Sequence, residues 1–411
     1  MAVRITTELL GEHPRLSEIA THLPISASWI RGADGFVAFG EFKSHIVHGK
    51  KRFADASAWW QKELSQLIIK NNVHGVGTGP ILFTSFAFTD DQPSLLTIPE
   101  IVVVQKSGKS WITWIGDQQP EIFSRSSTLK TRNGLTLTWE PGALSDTQWT
   151  SAVKESVSRI KSGELEKVVL ARDLVAHADS EIDPADLITS LEAEYPSTWI
   201  FLVDNLIGAT PELLVRLNKS LVTSRVLAGT IRRTGDEERD FALAGSLSKS
   251  SKDLEEHEYA VRSVAEALEP FASSTNVPDA PFVLHLPNVM HLATDVTGVI
   301  NDSASKVDIF KLAAALHPSA AVCGTPTEVA REVIAQLESM NRGRYAGPVG
   351  WVDAHGDGEM GIALRCGEIS EDKRSIRLFA GCGIVAGSNA EQELAESQAK
   401  LLPIRTALTR L

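Results

Sequence analysis

Two short runs place paired acids at a helical spacing: Asp253-Leu-Glu-Glu256 and Glu393-Leu-Ala-Glu396. Residues three apart share a helix face. Each run would therefore present two carboxylates side by side, hard oxygen donors of the kind that hold Mg²⁺ and leave positions open for an anionic ligand. At about 100° per residue the second acid points roughly 160° away from its leucine, off the apolar stripe, so simple solvent exposure is the competing reading. Lys167 opens the run Lys167-Val-Val-Leu-Ala-Arg172 and shares a strand face with Val169 and Ala171. Its amine either snorkels to water along its stem or is desolvated far enough to act as a base. Glu212, in Gly208-Ala-Thr-Pro-Glu-Leu-Leu214, is either an exposed turn residue or a carboxyl whose pKa an apolar setting raises until it can serve as an acid.

The run Gly381-Cys-Gly383-Ile-Val-Ala386 fits the spacing of a dinucleotide fingerprint but not its context. The next helix starts near Asn389, too late, and no acid stands about 20 positions further on. What remains is a glycine-lined bend whose bare N–H groups approach a carboxylate, or a simple β-turn. His257, His285, His291 and His317 lack an HExxH spacing or a cysteine partner, which leaves core or surface roles. There is no GxSxG elbow and no GxxxxGK[ST] loop.

The elements that must position these groups read as α+β. Strand patterns fall at 35–42, 80–88, 100–104, 110–115 and 135–139, with a hairpin turn at Ser107-Gly108-Lys109 and an amphipathic helix at 57–69. Pro141 and Gly142 mark a seam at 140–146. Beyond it come a helix from 146 to about 162, a strand at 167–175, and closely spaced strands from 198 to 231. Further helices are expected at 251–270, 307–316, 327–340 and 389–402. Connections as short as 217–221 and 351–362 cannot make a parallel crossover, which needs about a dozen residues, so antiparallel sheets with helices outside are expected.

With 411 residues, 43% of them hydrophobic, the chain can bury a sizeable core. A net charge of −12 repels nucleic acid and anionic membranes, and no basic patch overrides it. The N-terminus lacks the apolar centre of a signal peptide and no stretch spans a bilayer, which reads as cytoplasmic. Cys323, Cys366 and Cys382 show neither pairing nor metal spacing.

In order along the chain, these segments resemble the chorismate-utilising enzymes, and within them the isochorismate synthases. The resemblance rests on Lys167–Arg172 and Ala209-Thr-Pro-Glu-Leu-Leu214, followed by Leu227-Ala-Gly-Thr-Ile-Arg232 and Ser251-Lys-Asp-Leu-Glu-Glu-His257. It continues through His291-Leu-Ala-Thr294, His317-Pro to Cys323-Gly-Thr-Pro326, Tyr345-Ala-Gly-Pro348 and Ile362-Ala-Leu-Arg365. Phe379-Ala-Gly-Cys-Gly-Ile-Val385 and Glu393-Leu-Ala-Glu396 with Lys400 complete it. Each motif alone is weak and the ordered set is specific. It covers roughly 146–405.

The resemblance implies a single fold over 1–411: a large antiparallel sandwich with helices outside, 1–145 a variable scaffold and 146–411 the catalytic, chorismate-binding part. The implied reaction adds water at ring C2 of chorismate while the C4 hydroxyl leaves. Lys167 would be the base and Glu212 the acid. Glu256 and Glu396 would hold Mg²⁺, with Asp253 and Glu393 in support. Thr230, His291, Tyr345, Arg365, Gly383 and Lys400 would contact the substrate. A monomer is expected. Anthranilate and aminodeoxychorismate synthases use ammonia, usually from a glutaminase partner, and lack a lysine at the position of Lys167. The PIKGT lysine of the latter is Ala228 here, so no glutaminase subunit is expected. Salicylate synthases, which go on to eliminate pyruvate, are the alternative.

Overall fold

A computed structural model describes residues 3–11, 15–122, 134–301 and 307–411. Among these the strands form two sheets, one of 13 strands and one of 10, in an α+β fold; Gly324–Thr325 in the larger and Phe282–His285 in the smaller each pair with one strand off the main path. The larger sheet runs, edge to edge, through Leu137–Pro141, Lys167–Ala178, Ser375–Ile384, Cys366–Ile369, Leu206–Thr210 and Trp199–Val203. It continues into Ile25–Arg31, Asp34–Phe39, Ile101–Lys106, Lys109–Ile115, Val3–Leu10 and Leu67–Asn71. The smaller runs through Ala272–Asn276, Val289–Ile300, Leu221–Arg232, Leu213–Asn218 and Gly358–Ile362, then Pro348–Asp353, Ile81–Ser85, Ser94–Ile98 and Lys43–Val47. Both sheets mix strands from before and after residue 146.

Alternation explains the layers. On the strand Ile25–Arg31, Trp29 faces the smaller sheet and Ile30 faces outward; on Asp34–Phe39, Phe36 and Val37 divide in the same way. Phe36 meets Trp351 of the opposite sheet at 4.4 Å between ring centroids and Phe83 edge-on at 6.4 Å. The outward residues Ile30, Val37, Ile200 and Leu202 pack under Leu187, Ile188 and Leu191 of the helix Pro184–Glu194 and under Leu401 and Ile404 of the helix Ala390–Thr409. The central strands of the larger sheet are thus buried on both faces, which their dense apolar runs require.

Short connections do make hairpins, as at 217–221 and 351–358. One pairing departs from the antiparallel expectation: Val3–Leu10 runs parallel to Leu67–Asn71. The same strand corrects the helix expected at 57–69, which lies at Arg52–Leu64 instead. Its buried face is Phe53, Ala56 and Trp60, while the β-branched Ile68 and Ile69 go to the sheet edge. The helices Pro184–Glu194 and Glu237–Leu247 were not anticipated, although Asp183 before Pro184 is an N-cap signal.

The helix expected to stop at Leu402 runs on to Thr409 through Pro403. Proline removes the N–H that would bond the carbonyl four residues back. Here that carbonyl, on Ala399, accepts instead from Asn288 Nδ2 at 2.6 Å, so the helix continues without an orphaned acceptor. Among the described residues no helix is long and apolar enough to cross a membrane.

Candidate functional site

Two places where the chain crosses between sheets lie side by side. Thr210 ends a strand of the larger sheet and Leu213 starts one of the smaller, so Pro211 and Glu212 are the whole crossing. The return passes from Ile362 through Ala363, Leu364 and Arg365 to Cys366. Backbone bonds tie the two together: Ile362 N–H donates to Glu212 O at 3.2 Å and Ala209 N–H to Arg365 O at 3.1 Å. Arg365 has φ of 50°, a left-handed conformation uncommon outside glycine. Such strain persists only where surrounding structure enforces it, and it concentrates at functional sites.

Lys167, at the start of its strand, is fully buried. Its Nζ lies 3.5 Å from Glu256 Oε1 and donates to Glu256 O at 3.5 Å. Burial pulls the ammonium below its ordinary range, and the nearby Glu256 and Glu212 only partly oppose this. Burial also raises the Glu212 carboxyl to about 8, against the opposing pull of Lys167, Arg365 and Lys400. Both competing exposed readings, a snorkelling lysine and a turn glutamate, are therefore excluded.

Gly383 sits in the strand Ser375–Ile384, paired with Val169, so neither the bend nor the turn expected there exists. Its lack of a side chain has another cause. A Cβ at this position would stand 2.0 Å from Glu256 Oε1 and 3.2 Å from Lys167 Cε. The glycine makes the slot that both functional side chains occupy.

A bulge shapes the opposite wall. Pairing between Leu221–Arg232 and Val289–Ile300 slips at Gly229, whose φ is 77°. Thr230 Oγ1 then lies 3.0 Å from His291 Nδ1, and Arg365 Nη2 donates to His291 Nε2 at 2.9 Å. Because guanidinium can only donate, Nε2 must accept, which assigns the ring proton to Nδ1. Burial, followed by the charge of Arg365, pushes His291 well below its ordinary value, so the ring is neutral. Arg365 Nε is buried with no partner among the described residues. Tyr345 stacks on Phe379 at 5.0 Å, and Lys400 Nζ donates to Gly381 O at 2.9 Å. Glu212, Thr230, Glu256, His291, Tyr345, Arg365, Gly383 and Lys400 all line one narrow cleft, with Lys167 behind Gly383.

The acidic runs are not solvated. Glu256 and Glu393 are buried, and Glu396 nearly so. Lys252 Nζ reaches across from its helix, Ser251–Leu268, to Glu393 at 2.7 Å, so the two helix starts converge. Lys400 pairs with Glu396 at 2.5 Å. Burial, then the charge of Glu396, raises the Glu393 carboxyl to about 7. Burial also works against Glu396, but Lys400, joined by Lys252 and Arg365, holds that carboxyl below its ordinary value.

Among the described residues, one group of potential ligand atoms lies within 4.8 Å: those of Cys382, Glu393 and Glu396. The expected four acids are not gathered there. Glu256 is turned toward Lys167, and Asp253 accepts from Ser250 at its own helix cap. The Cys382 thiol, raised far by burial, donates to Glu393 O and stays neutral.

Two contributors escaped the sequence reading, and His257, expected in a core or surface role, takes a core one. Lys252 carried a detectable signal, since a cation in the first turn of a helix opposes the helix dipole and calls for a specific partner. His257 donates through Nδ1 to Ala228 O at 3.1 Å and accepts at Nε2 from Thr294 Oγ1 at 2.8 Å, pinning the turn that carries Glu256 to the smaller sheet. Arg342 donates to Val169 O at 2.8 Å and Val322 O at 2.9 Å and pairs with Glu338, bracing the Lys167 strand. Nothing in its local sequence marks that role.

Comparison with known proteins agrees with this geometry. Residues 29–409 match the family described as chorismate binding enzyme. Isochorismate synthase DhbC of Bacillus subtilis is 39% identical over 271 residues, 63% of this chain and 67% of that protein. Isochorismate synthase EntC of Escherichia coli K12 is 33% identical over 368 residues, 88% of each. The crystal structure of DhbC from Bacillus anthracis superposes with a TM-score of 0.80 at 32% identity, covering 96% of this chain and 99% of that one. With nearly its whole length matched in sequence and in fold, the chain belongs to the chorismate-binding enzymes.

Proposed function

We propose that the protein is an isochorismate synthase, which adds water at C2 of chorismate while the C4 hydroxyl departs. The observation that carries the reading is a buried amine and a buried carboxyl in one site, the first pushed down and the second raised to about 8. Near neutral pH the carboxyl keeps its proton, and the amine is biased toward losing its own. Lys167 takes a proton from water as the water oxygen bonds to C2. The ring double bonds shift, the C4–O bond breaks, and Glu212 delivers its proton so that the hydroxyl leaves as water. One water enters and one leaves, so the product is an isomer.

The partnerless Arg365 Nε offers a donor for a substrate carboxylate, and Tyr345, Lys400 and the Gly383 backbone complete that wall. Neutral His291, held by Thr230, lies beside the ring without adding charge. The cleft is narrow, about 50 Å³, and Lys400 in its wall is paired with Glu396, so a substrate carboxylate would have to exchange for that pairing.

The acids fit Mg²⁺. Glu393 and Glu396 are hard oxygen donors side by side and largely buried, and Lys252 and Lys400 now supply the positive charge they require. Glu256, Glu393 and Glu396 would hold the ion with Asp253 behind them, and once bound it would supply positive charge to a substrate carboxylate.

The whole of 1–411 is proposed as one unit. The site residues all lie in 146–411, while strands from 1–145 complete both sheets as scaffold. We also propose a cytoplasmic monomer whose partner is chorismate, without nucleic acid, membrane or glutaminase subunit. The charge of −12 speaks against nucleic acid and anionic membranes, and Lys167 together with Ala228 at the place of the PIKGT lysine speaks against a glutaminase subunit.

Incubating the protein with chorismate and Mg²⁺ and separating the products tests the proposal. Isochorismate is expected; salicylate with pyruvate would favour the salicylate synthase reading, and an ammonia-dependent product or unchanged chorismate would overturn it. Gly383→Ala is expected to lower turnover about 100-fold, because even a small displacement of a positioned group is costly. Only a carboxylate tip must move, so the thermal midpoint should stay within a few degrees. Turnover near wild type would show that the slot is not needed.

A further inference from the structure

A second cavity, of about 400 Å³, opens beside the C-terminal helix, away from the cleft. Its floor is Arg172, which by strand alternation faces opposite to Lys167. Arg172 is only 4% exposed, yet Nε and Nη1 have no partner among the described residues, and the guanidinium is matched by Asp146 alone, whose carboxylate is half-exposed. Arg232 and Arg405 line the same cavity, and neither forms an ion pair among the described residues; Arg405 lies 4.9 Å over the Trp139 ring. Gln398 adds a neutral donor. Three guanidinium groups against one carboxylate, in a chain of net charge −12, form a local reversal of sign.

Buried guanidinium donors are normally satisfied, and their planar fork matches oxyanions. We propose that this cavity binds a small dianion carrying phosphate or carboxylate oxygens, held by Arg172, Arg232 and Arg405. The site is distinct from the chorismate cleft and does not depend on the proposed reaction, because binding is read without substrate.

Calorimetric titration with inorganic phosphate, and separately with succinate, at constant ionic strength against chloride, tests it. Saturable binding of one phosphate or one succinate per chain is expected, and which of the two binds identifies the preferred oxyanion. The double variant Arg232→Gln/Arg405→Gln alters two rim residues outside the catalytic machinery. It should weaken binding at least tenfold and leave kcat and KM within twofold. Arg365→Gln, in the chorismate cleft, should leave phosphate or succinate binding within twofold. No saturation by either anion, unchanged affinity in the double variant, or loss of binding in Arg365→Gln would each overturn the proposal.

Discussion

Lys167→Ala is expected to lower isochorismate formation about 1,000-fold, within the range that removal of a positioned general base produces. The amine is fully buried, so neither bulk water nor buffer easily takes its place, and no other lysine stands where it does. Truncation also opens a hole behind Gly383, which costs stability in its own right. Lys167→Met separates the two effects, because it keeps the apolar stem and removes only the base. It should be as inactive as the alanine variant, with a thermal midpoint at or above wild type, since burial already disfavours the charged amine. Measured kcat and thermal unfolding of both variants check this; activity above a tenth of wild type in either would remove Lys167 from the mechanism.

Glu212→Gln should cost roughly 100- to 10,000-fold in turnover, since the amide has the shape of the protonated carboxyl but no acidic proton. Its stability should change in the opposite sense. The carboxyl titrates at 4.5 when exposed and at about 8 in the fold. Between those values the folded chain holds a proton that the unfolded chain releases, so this group's contribution is fully present below about 4.5 and is lost as pH rises through about 8. The displacement corresponds to a penalty on the order of 5 kcal/mol for the ionised form, an upper bound that relaxation and water entry reduce. The variant lacks this titration. Its stability relative to wild type should therefore grow from pH 5 to pH 9, as denaturant melts at several pH values would reveal; a constant gap would mean that Glu212 titrates normally.

The two residues were equally hard to read from the sequence. As isolated side chains Lys167 and Glu212 each allowed a bland reading; only the ordered motifs selected the functional one. Their burial comes from contacts distant in sequence. Glu212 is enclosed because the chain changes sheets there and again at Arg365, 153 positions later, and no local pattern announces that adjacency.

The acidic helix starts show the same limit. Helical geometry put Glu256 and Glu396 off the apolar stripe, yet Glu256 shares a buried row with Ala260 and Val264, and Glu396 lies between the buried Glu393, Lys400 and Pro403. What makes their side of the helix an interior one is the meeting of two helices, with Lys252 crossing to Glu393. Local signals did better where the chemistry is local, as at the Ser107-Gly108 hairpin, where both residues have positive φ. They failed at Pro403, because the compensating donor, Asn288, lies elsewhere in the chain.

Titrating the Glu212 carboxyl itself is the most direct measurement. ¹³C NMR of carboxyl-labelled glutamate in the substrate-free protein would follow it, with Glu212→Gln identifying the signal. A midpoint near 8 is predicted, and a midpoint close to 4.5 would contradict the acid role on which the reaction depends.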